Sequence, residues 1–160
     1  MAQTSPTSWQ NIEQWVKFYS WITVAAVIYG IAAAHVPFII GHPWSSCKVS
    51  GSDCACVLVF HLFEVPLVSF NAFIAWYGLK KFSQERVVRF SSLLGFAFTV
   101  NLLFFAFEIC LMLDGLRRQA PDWENWALLS VALILVSGAG LSLFLKQKIV
   151  GWIEDGKSTT

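Results

Sequence analysis

The chain has 160 residues, of which 56% are hydrophobic and 13% are charged, and its formal net charge is +1. A soluble globular domain carries about 25% charged residues, so this composition excludes an ordinary soluble domain. No run of Lys and Arg is longer than two residues, which leaves no electrostatic footprint for nucleic-acid binding.

Four apolar stretches follow one another along the chain, at residues 18–40, 57–79, 90–113 and 126–145. Each is long enough to cross a bilayer as a helix, which needs about 20 predominantly apolar residues. The stretches predict an all-α fold, a four-span transmembrane helical bundle with short loops. They leave no room for a second domain, so residues 1–160 are predicted to form a single integral membrane domain with short polar N- and C-terminal tails.

Lys and Arg are distributed unevenly between the two ends of this bundle. Eight lie on the side of the two termini and the connector 80–89, and three lie on the other side. The positive-inside rule therefore predicts cytoplasmic termini, and loops 41–56 and 114–125 that are extracellular or lumenal. The tail from residue 146 is expected to lie on the inner leaflet.

Aromatic and small residues predict how the spans meet the membrane and one another. Small residues recur every four positions at Ala26, Gly30 and Ala34, and a second group spans 137–142. Such faces permit close helix contacts, within the bundle or between copies. Most Trp and Tyr residues are expected to form aromatic belts at the two membrane interfaces: Trp9, Trp15, Tyr19, Trp21, Trp44, Tyr77, Trp123, Trp126 and Trp152.

The second and third spans each carry one carboxylate and one amide. Seven residues separate Glu64 from Asn71, and seven separate Asn101 from Glu108, so each pair shares a helix face, about 10 Å apart along the axis. The reversed order in an antiparallel hairpin places Glu64 level with Glu108 and Asn71 level with Asn101. A charged side chain inside a span costs about 2.5–3.5 kcal/mol on an insertion scale. With His61, one turn from Glu64, these residues form a candidate intramembrane polar site.

Three roles for this candidate site are consistent with the residues. The side chains could form interhelical hydrogen bonds that fix helix register. They could instead handle a proton or a cation, because two carboxyl groups that meet share a proton or hold a cation between them. The third role is a docking site for a basic or polar span of a partner.

Four cysteines lie towards the non-cytoplasmic side. Cys47, Cys54 and Cys56 belong to the first outer loop, and Cys110 lies near the outer end of the third span. An even number in an oxidising compartment predicts up to two disulfides. The favoured pairing links a loop cysteine to Cys110; thiol–disulfide exchange and a metal site are the alternatives. His35, His42 and His61 are candidate metal ligands on the same side, although neither the metal nor any cofactor can be assigned.

The residues predict no catalytic group, because they contain no nucleophile–base pair, phosphate-binding loop or dinucleotide fingerprint. The favoured function is an accessory, interaction or trafficking subunit of a membrane complex, with a disulfide-tied outer loop, the lipid bilayer around it and a membrane-protein partner or a second copy beside it. The alternative is a small proton- or cation-coupled transporter or channel subunit that uses Glu64 and Glu108. A quinone-linked thiol oxidoreductase is less favoured, because Cys54-Ala55-Cys56 replaces the expected Cys-x-x-Cys motif.

Overall fold

The computed structural model describes the backbone over residues 6–39, 51–117 and 122–157, and most side chains within 9–32, 65–117 and 126–155. This part of the chain is all-α. Its four long helices are α1 (Pro6–Ile39), α2 (Gly51–Lys80), α3 (Val87–Arg117) and α4 (Asp122–Lys157). A single 3₁₀ turn at Gln84–Arg86 lies in the connector just before α3.

Three segments of these helices are long and apolar enough to cross a membrane. They are Trp9–Ala32 in α1, Gln84–Cys110, which includes the 3₁₀ turn and most of α3, and Leu129–Asp155 in α4. The chain is therefore a multi-pass integral membrane protein. The predicted second span, 57–79, lies partly outside the described side chains, which begin at Val65 in α2, so the four-span topology stays a prediction.

The helices extend beyond the predicted spans at several ends. α2 begins at Gly51, inside the predicted loop 41–56, because Ser52 and Asp53 suit the first turn of a helix as well as they suit a loop. α3 continues to Arg117 and α4 begins at Asp122, both within the predicted loop 114–125. Residues 51–56, 114–117 and 122–125, which lie within the predicted outer loops, are therefore helical.

Residues 146–157 are part of α4 and do not form a separate segment on the membrane surface. The helix runs without interruption to Lys157. Ile149 is fully buried, and Trp152 and Ile153 pack against the same hydrophobic core. These apolar positions recur at helical spacing, so the end of α4 stays in the bundle and does not turn onto the leaflet.

Each helix packs against two neighbours, in the order α1–α2–α3–α4 and back to α1. The contact between α3 and α4 is the most extensive, and the contact between α2 and α3 is the smallest. Aromatic rings separate the latter pair: Phe70 and Phe96 lie 5.0 Å apart between ring centroids, and Tyr77 and Phe90 lie 6.0 Å apart. Large rings hold helix axes apart, whereas small residues let them approach.

Among the described residues, the main cluster of buried hydrophobic side chains lies at the connector end of the bundle. Its fully buried side chains come from three sections of chain, around residues 12–20, 74–97 and 142–149. At the end of the core, Trp9 stacks on Phe82 at 5.2 Å and contacts Trp152 at 5.1 Å. The start of α1, the connector and the end of α4 therefore meet at one end.

Tyr19 is a correction to the predicted aromatic belt, because it is only 3% exposed and lies near the middle of the candidate span Trp9–Ala32. Trp9 and Trp152 stay partly exposed at the end of the bundle. Trp21 and Trp126 are exposed as a belt requires. The residue type alone does not distinguish a buried aromatic side chain from an exposed one. The direction in which the side chain points from its helix decides which of the two it is.

Candidate functional site

The predicted contact between the amides of α2 and α3 is present. Asn71 Nδ2 donates to Asn101 Oδ1 at 3.2 Å, and Asn101 Nδ2 donates to Asn71 Oδ1 at 3.4 Å. Asn71 Nδ2 also donates to the carbonyl oxygen of Leu67 at 3.0 Å. The register expected from the seven-residue spacings is therefore correct at this level, and the amides satisfy each other inside the bundle.

A second polar contact joins α1 to α4. Tyr19 Oη and Ser142 Oγ lie 2.9 Å apart, and Ser142 Oγ donates to the carbonyl oxygen of Gly138 at 2.7 Å. Because the Ser142 hydroxyl hydrogen is used in that bond, Tyr19 is the donor between the two hydroxyls. Thr23 Oγ1 donates to the carbonyl oxygen of Tyr19 at 2.9 Å. A buried phenol without a partner is costly in a membrane, and here it has one.

The two polar contacts meet on the same turn of α4. A Cβ added at Gly138 would lie 3.6 Å from Asn101 Nδ2, and Gly138 also accepts from Ser142. We call the set Tyr19, Thr23, Asn71, Asn101 and Ser142 the central polar layer. Tyr19 and Ser142 lie near the middle of the candidate spans Trp9–Ala32 and Leu129–Asp155. All four helices contribute to the layer, mostly with amide and hydroxyl groups, which suits helix registration better than charge transport.

Two glycines on the connector side of this layer allow close helix contacts. A Cβ added at Gly78 of α2 would overlap Ser20 Oγ of α1, and a Cβ added at Gly95 of α3 would lie 2.9 Å from Lys146 Nζ of α4. Ser20 is completely buried. The absence of a side chain at Gly78 therefore determines how closely α1 and α2 approach.

Glu108 lies on the same face of α3 as Asn101, two turns further from the connector. Both side chains are 4% exposed, as their seven-residue spacing predicts. Glu108 is the one buried carboxylate among the described side chains. The side chains of Glu64 and His61 lie outside the described set, so the proposed carboxyl pair stays a prediction.

The described side chains give no support for the predicted anchor at α3, since Cys110 is a free thiol exposed on the outside of the helix. The side chains of its candidate partners lie outside the described set, so the link from a loop cysteine to Cys110 stays a prediction. Side chains two positions apart on a helix point in directions that differ by about 200°. Because Glu108 faces the bundle, Cys110 faces outwards. Cys54 and Cys56 lie on α2 rather than in a loop. Their side chains and Cys47 lie outside the described residues.

The candidate metal ligands also lie outside the described side chains: His35, His42 and His61. Within the side chains that are described, no group of three or more His, Cys, Asp or Glu residues is placed to hold a metal ion. Tyr19, Thr23 and Ser142 are site residues that the sequence did not predict. A Tyr near a span end also fits an aromatic belt, and small residues within a span also fit a packing face.

Comparison with known proteins identifies no matching family model, no similar curated protein and no similar solved structure.

Proposed function

We propose that this protein is a non-catalytic accessory subunit of a membrane complex, which presents an outward helix face to a span of a partner or of a second copy. The observation that carries the proposal is the position of the glycines. Gly78, Gly95 and Gly138 lie at helix contacts within the bundle, whereas a Cβ added at Gly30, Gly140 or Gly151 meets no atom within 4 Å.

An outward glycine has no role in the packing of this bundle. Glycine inside a helix is less favourable than alanine by about 1 kcal/mol. On the outside of a membrane helix it lets a second helix approach closely. Gly140 lies mid-span on a face of α4 that also presents Leu133, Ser137 and Phe144, all exposed. Two small residues between two large ones form a shallow notch, which fits the side of another helix.

The central polar layer supports the same proposal. Its amides and hydroxyls bond to one another across the helices, as in the Asn71–Asn101 and Tyr19–Ser142 contacts. Such bonds stabilise one helix arrangement in the membrane. A bundle with a fixed arrangement offers a preformed outer surface, which reduces the entropy lost when a partner binds.

The proposal includes the orientation of the chain. The end that contains Trp9, Phe82 and Trp152 faces the cytoplasm, because eight of the eleven Lys and Arg residues belong to that side. The opposite end, where α1 ends at Ile39 and α3 ends at Arg117, faces the outside or a lumen.

The experiment compares two Leu substitutions in the tagged full-length chain, crosslinked in native membranes and purified in mild detergent. Gly140→Leu fills the notch at mid-span, where an added Cβ meets no atom within 4 Å, and Gly151→Leu makes the same change near the end of α4, where a Cβ also meets no atom within 4 Å. We expect Gly140→Leu to remove the crosslinked partner and Gly151→Leu to retain it. Equal recovery from both variants contradicts the proposal.

Buried Glu108 favours a second candidate, a proton- or cation-coupled transporter or channel subunit. It predicts that Glu108→Gln and Glu64→Gln each abolish ion-coupled uptake in proteoliposomes while helix content stays constant. Uptake that is unchanged in both variants contradicts this candidate. An accessory subunit instead retains its partner in both variants, so the two candidates give different results.

A further inference from the structure

A lysine and three aromatic rings form a cluster on the outside of the α1–α4 contact. Lys148 Nζ lies 5.1 Å from the ring centroid of Phe144 and 5.9 Å from that of Trp15. Trp15 contacts Phe144 at 5.4 Å and Phe18 at 5.8 Å, both edge to face. Phe18, Phe144 and Lys148 are exposed. We call these four residues the Lys148 cluster.

The Lys148 cluster lies at the connector end, where positive charge is in excess. Described cations at this end are Lys17, Lys80, Lys81, Arg86, Arg89, Lys146 and Lys148, and described anions are Glu13, Glu85, Glu154 and Asp155. Lys17 is paired with Glu13 at 2.7 Å, and Lys146 lies against Gly95. Among the described side chains, no carboxylate lies within ion-pair distance of Lys148. Its ammonium group is therefore available to an external anion.

We propose that the Lys148 cluster binds the headgroup of an anionic phospholipid. The ammonium of Lys148 contacts the lipid phosphate, and the exposed rings of Phe18 and Phe144 contact the first carbons of its acyl chains. The rings hold Lys148 in place through cation–π contacts, so less side-chain entropy is lost on binding. Lys148 lies inside the candidate span Leu129–Asp155, towards its connector end. Its long side chain can extend the ammonium towards the headgroups while the aromatic rings stay in the apolar region, which matches the polarity gradient of a bilayer surface.

A lipid fits this surface better than an acidic segment of a protein. The surface is small, and it combines one cation with rings that face the hydrocarbon region. Lys81, at the same end, has fewer cation–π contacts than Lys148. Its Nζ lies 5.9 Å from one described ring, that of Trp76, whereas Lys148 contacts two. The inference depends on membrane insertion and not on the accessory role.

The experiment titrates the purified full-length chain in detergent with phosphatidylglycerol or phosphatidylcholine, and counts the bound lipids by native mass spectrometry. We expect phosphatidylglycerol to bind more tightly. Lys148→Gln should weaken it about fivefold, since one Lys near an anionic surface contributes about that factor. Lys148→Arg should retain the affinity, because Arg keeps the charge and stacks on rings.

Arg117→Gln is the matched control, because Arg117 is exposed at the opposite end of α3. Its lipid affinity should equal that of the unsubstituted chain. Equal losses in Lys148→Gln and Arg117→Gln overturn the proposal, and so does equal affinity for the two lipids. Elution volume and helix content verify that each variant is folded. Partner recovery from native membranes stays unchanged in Lys148→Gln, so failure of this inference is distinguishable from failure of the proposed function.

Discussion

Tyr19 Oη lies 2.9 Å from Ser142 Oγ, so one hydrogen bond joins the first and last helices through residues 123 positions apart. The bond lies near the middle of two candidate spans, where water is absent and a polar group needs a protein partner. The Ser142 hydroxyl donates a hydrogen bond to the carbonyl oxygen of Gly138. The phenol, the hydroxyl and the backbone therefore form a directed chain of two hydrogen bonds.

Tyr19→Phe should lower the free energy of unfolding in mixed micelles by about 0.6 kcal/mol, the average for a polar contact between membrane helices. The substitution removes the donor and keeps the ring in place. Adding Ser142→Ala should cost less in the Tyr19→Phe background than in the unsubstituted chain, because the shared bond is already lost. Additive losses would show that the two hydroxyls are not coupled.

Asn71→Leu and Asn101→Leu should show the same kind of coupling. The two amides bond reciprocally at 3.2 and 3.4 Å, so each single substitution leaves the other amide without its partner across the helices. We expect a coupling free energy of about 0.6 kcal/mol, with about 1.7 kcal/mol as the upper range for such contacts. A double-mutant cycle measured by steric trapping or denaturant titration tests it, and a coupling of zero contradicts the hydrogen-bond geometry.

Gly78→Ala should destabilise the bundle by about 1–3 kcal/mol, the usual cost of overpacking. The new Cβ overlaps Ser20 Oγ, so either the buried Ser20 side chain or the two helices must shift. Ser20→Ala removes the overlapping oxygen and should restore part of the lost stability. Gly140→Ala is the control, because its Cβ meets no atom within 4 Å. A loss of stability in Gly140→Ala equal to that in Gly78→Ala contradicts this prediction.

Cys110 should react with a maleimide in detergent without prior reduction, because it is a free and exposed thiol. Peptide mapping after labelling identifies the modified position, and Cys110→Ser supplies the background. Recovery of a Cys110-containing disulfide under non-reducing conditions would contradict this prediction and would support the disulfide predicted from the sequence.

The sequence was sufficient for the α2–α3 register but not for the α1–α4 contact. Asn71 and Asn101 are rare polar residues in apolar stretches, and a seven-residue spacing with an antiparallel hairpin is enough to bring them together. Tyr19 and Ser142 are common residue types in positions that also suit a membrane interface or a packing face. Which one faces the bundle depends on helix rotation, and this is set by distant packing partners.

The exposure of Cys110 and the positions of the helix ends were also not predicted from the sequence. The burial of Glu108 turns Cys110 outwards by helix geometry, yet an even number of cysteines on one side favoured a staple. α2 begins at Gly51 and α4 ends at Lys157, so both helices continue past the apolar stretches. Hydropathy marks only the membrane-embedded part of a helix, and polar residues can extend the helix beyond it.

Site-specific photocrosslinking on α4 tests the central claim most directly. A photoreactive amino acid replaces Ser137, next to Gly140 on the outward face, and in a control it replaces Thr99, which is exposed on α3. In native membranes, the accessory role predicts a discrete protein adduct at position 137 and none at position 99, with the adduct lost when Gly140→Leu is added. Lipid adducts alone at position 137, or protein adducts equally at both positions, would contradict it.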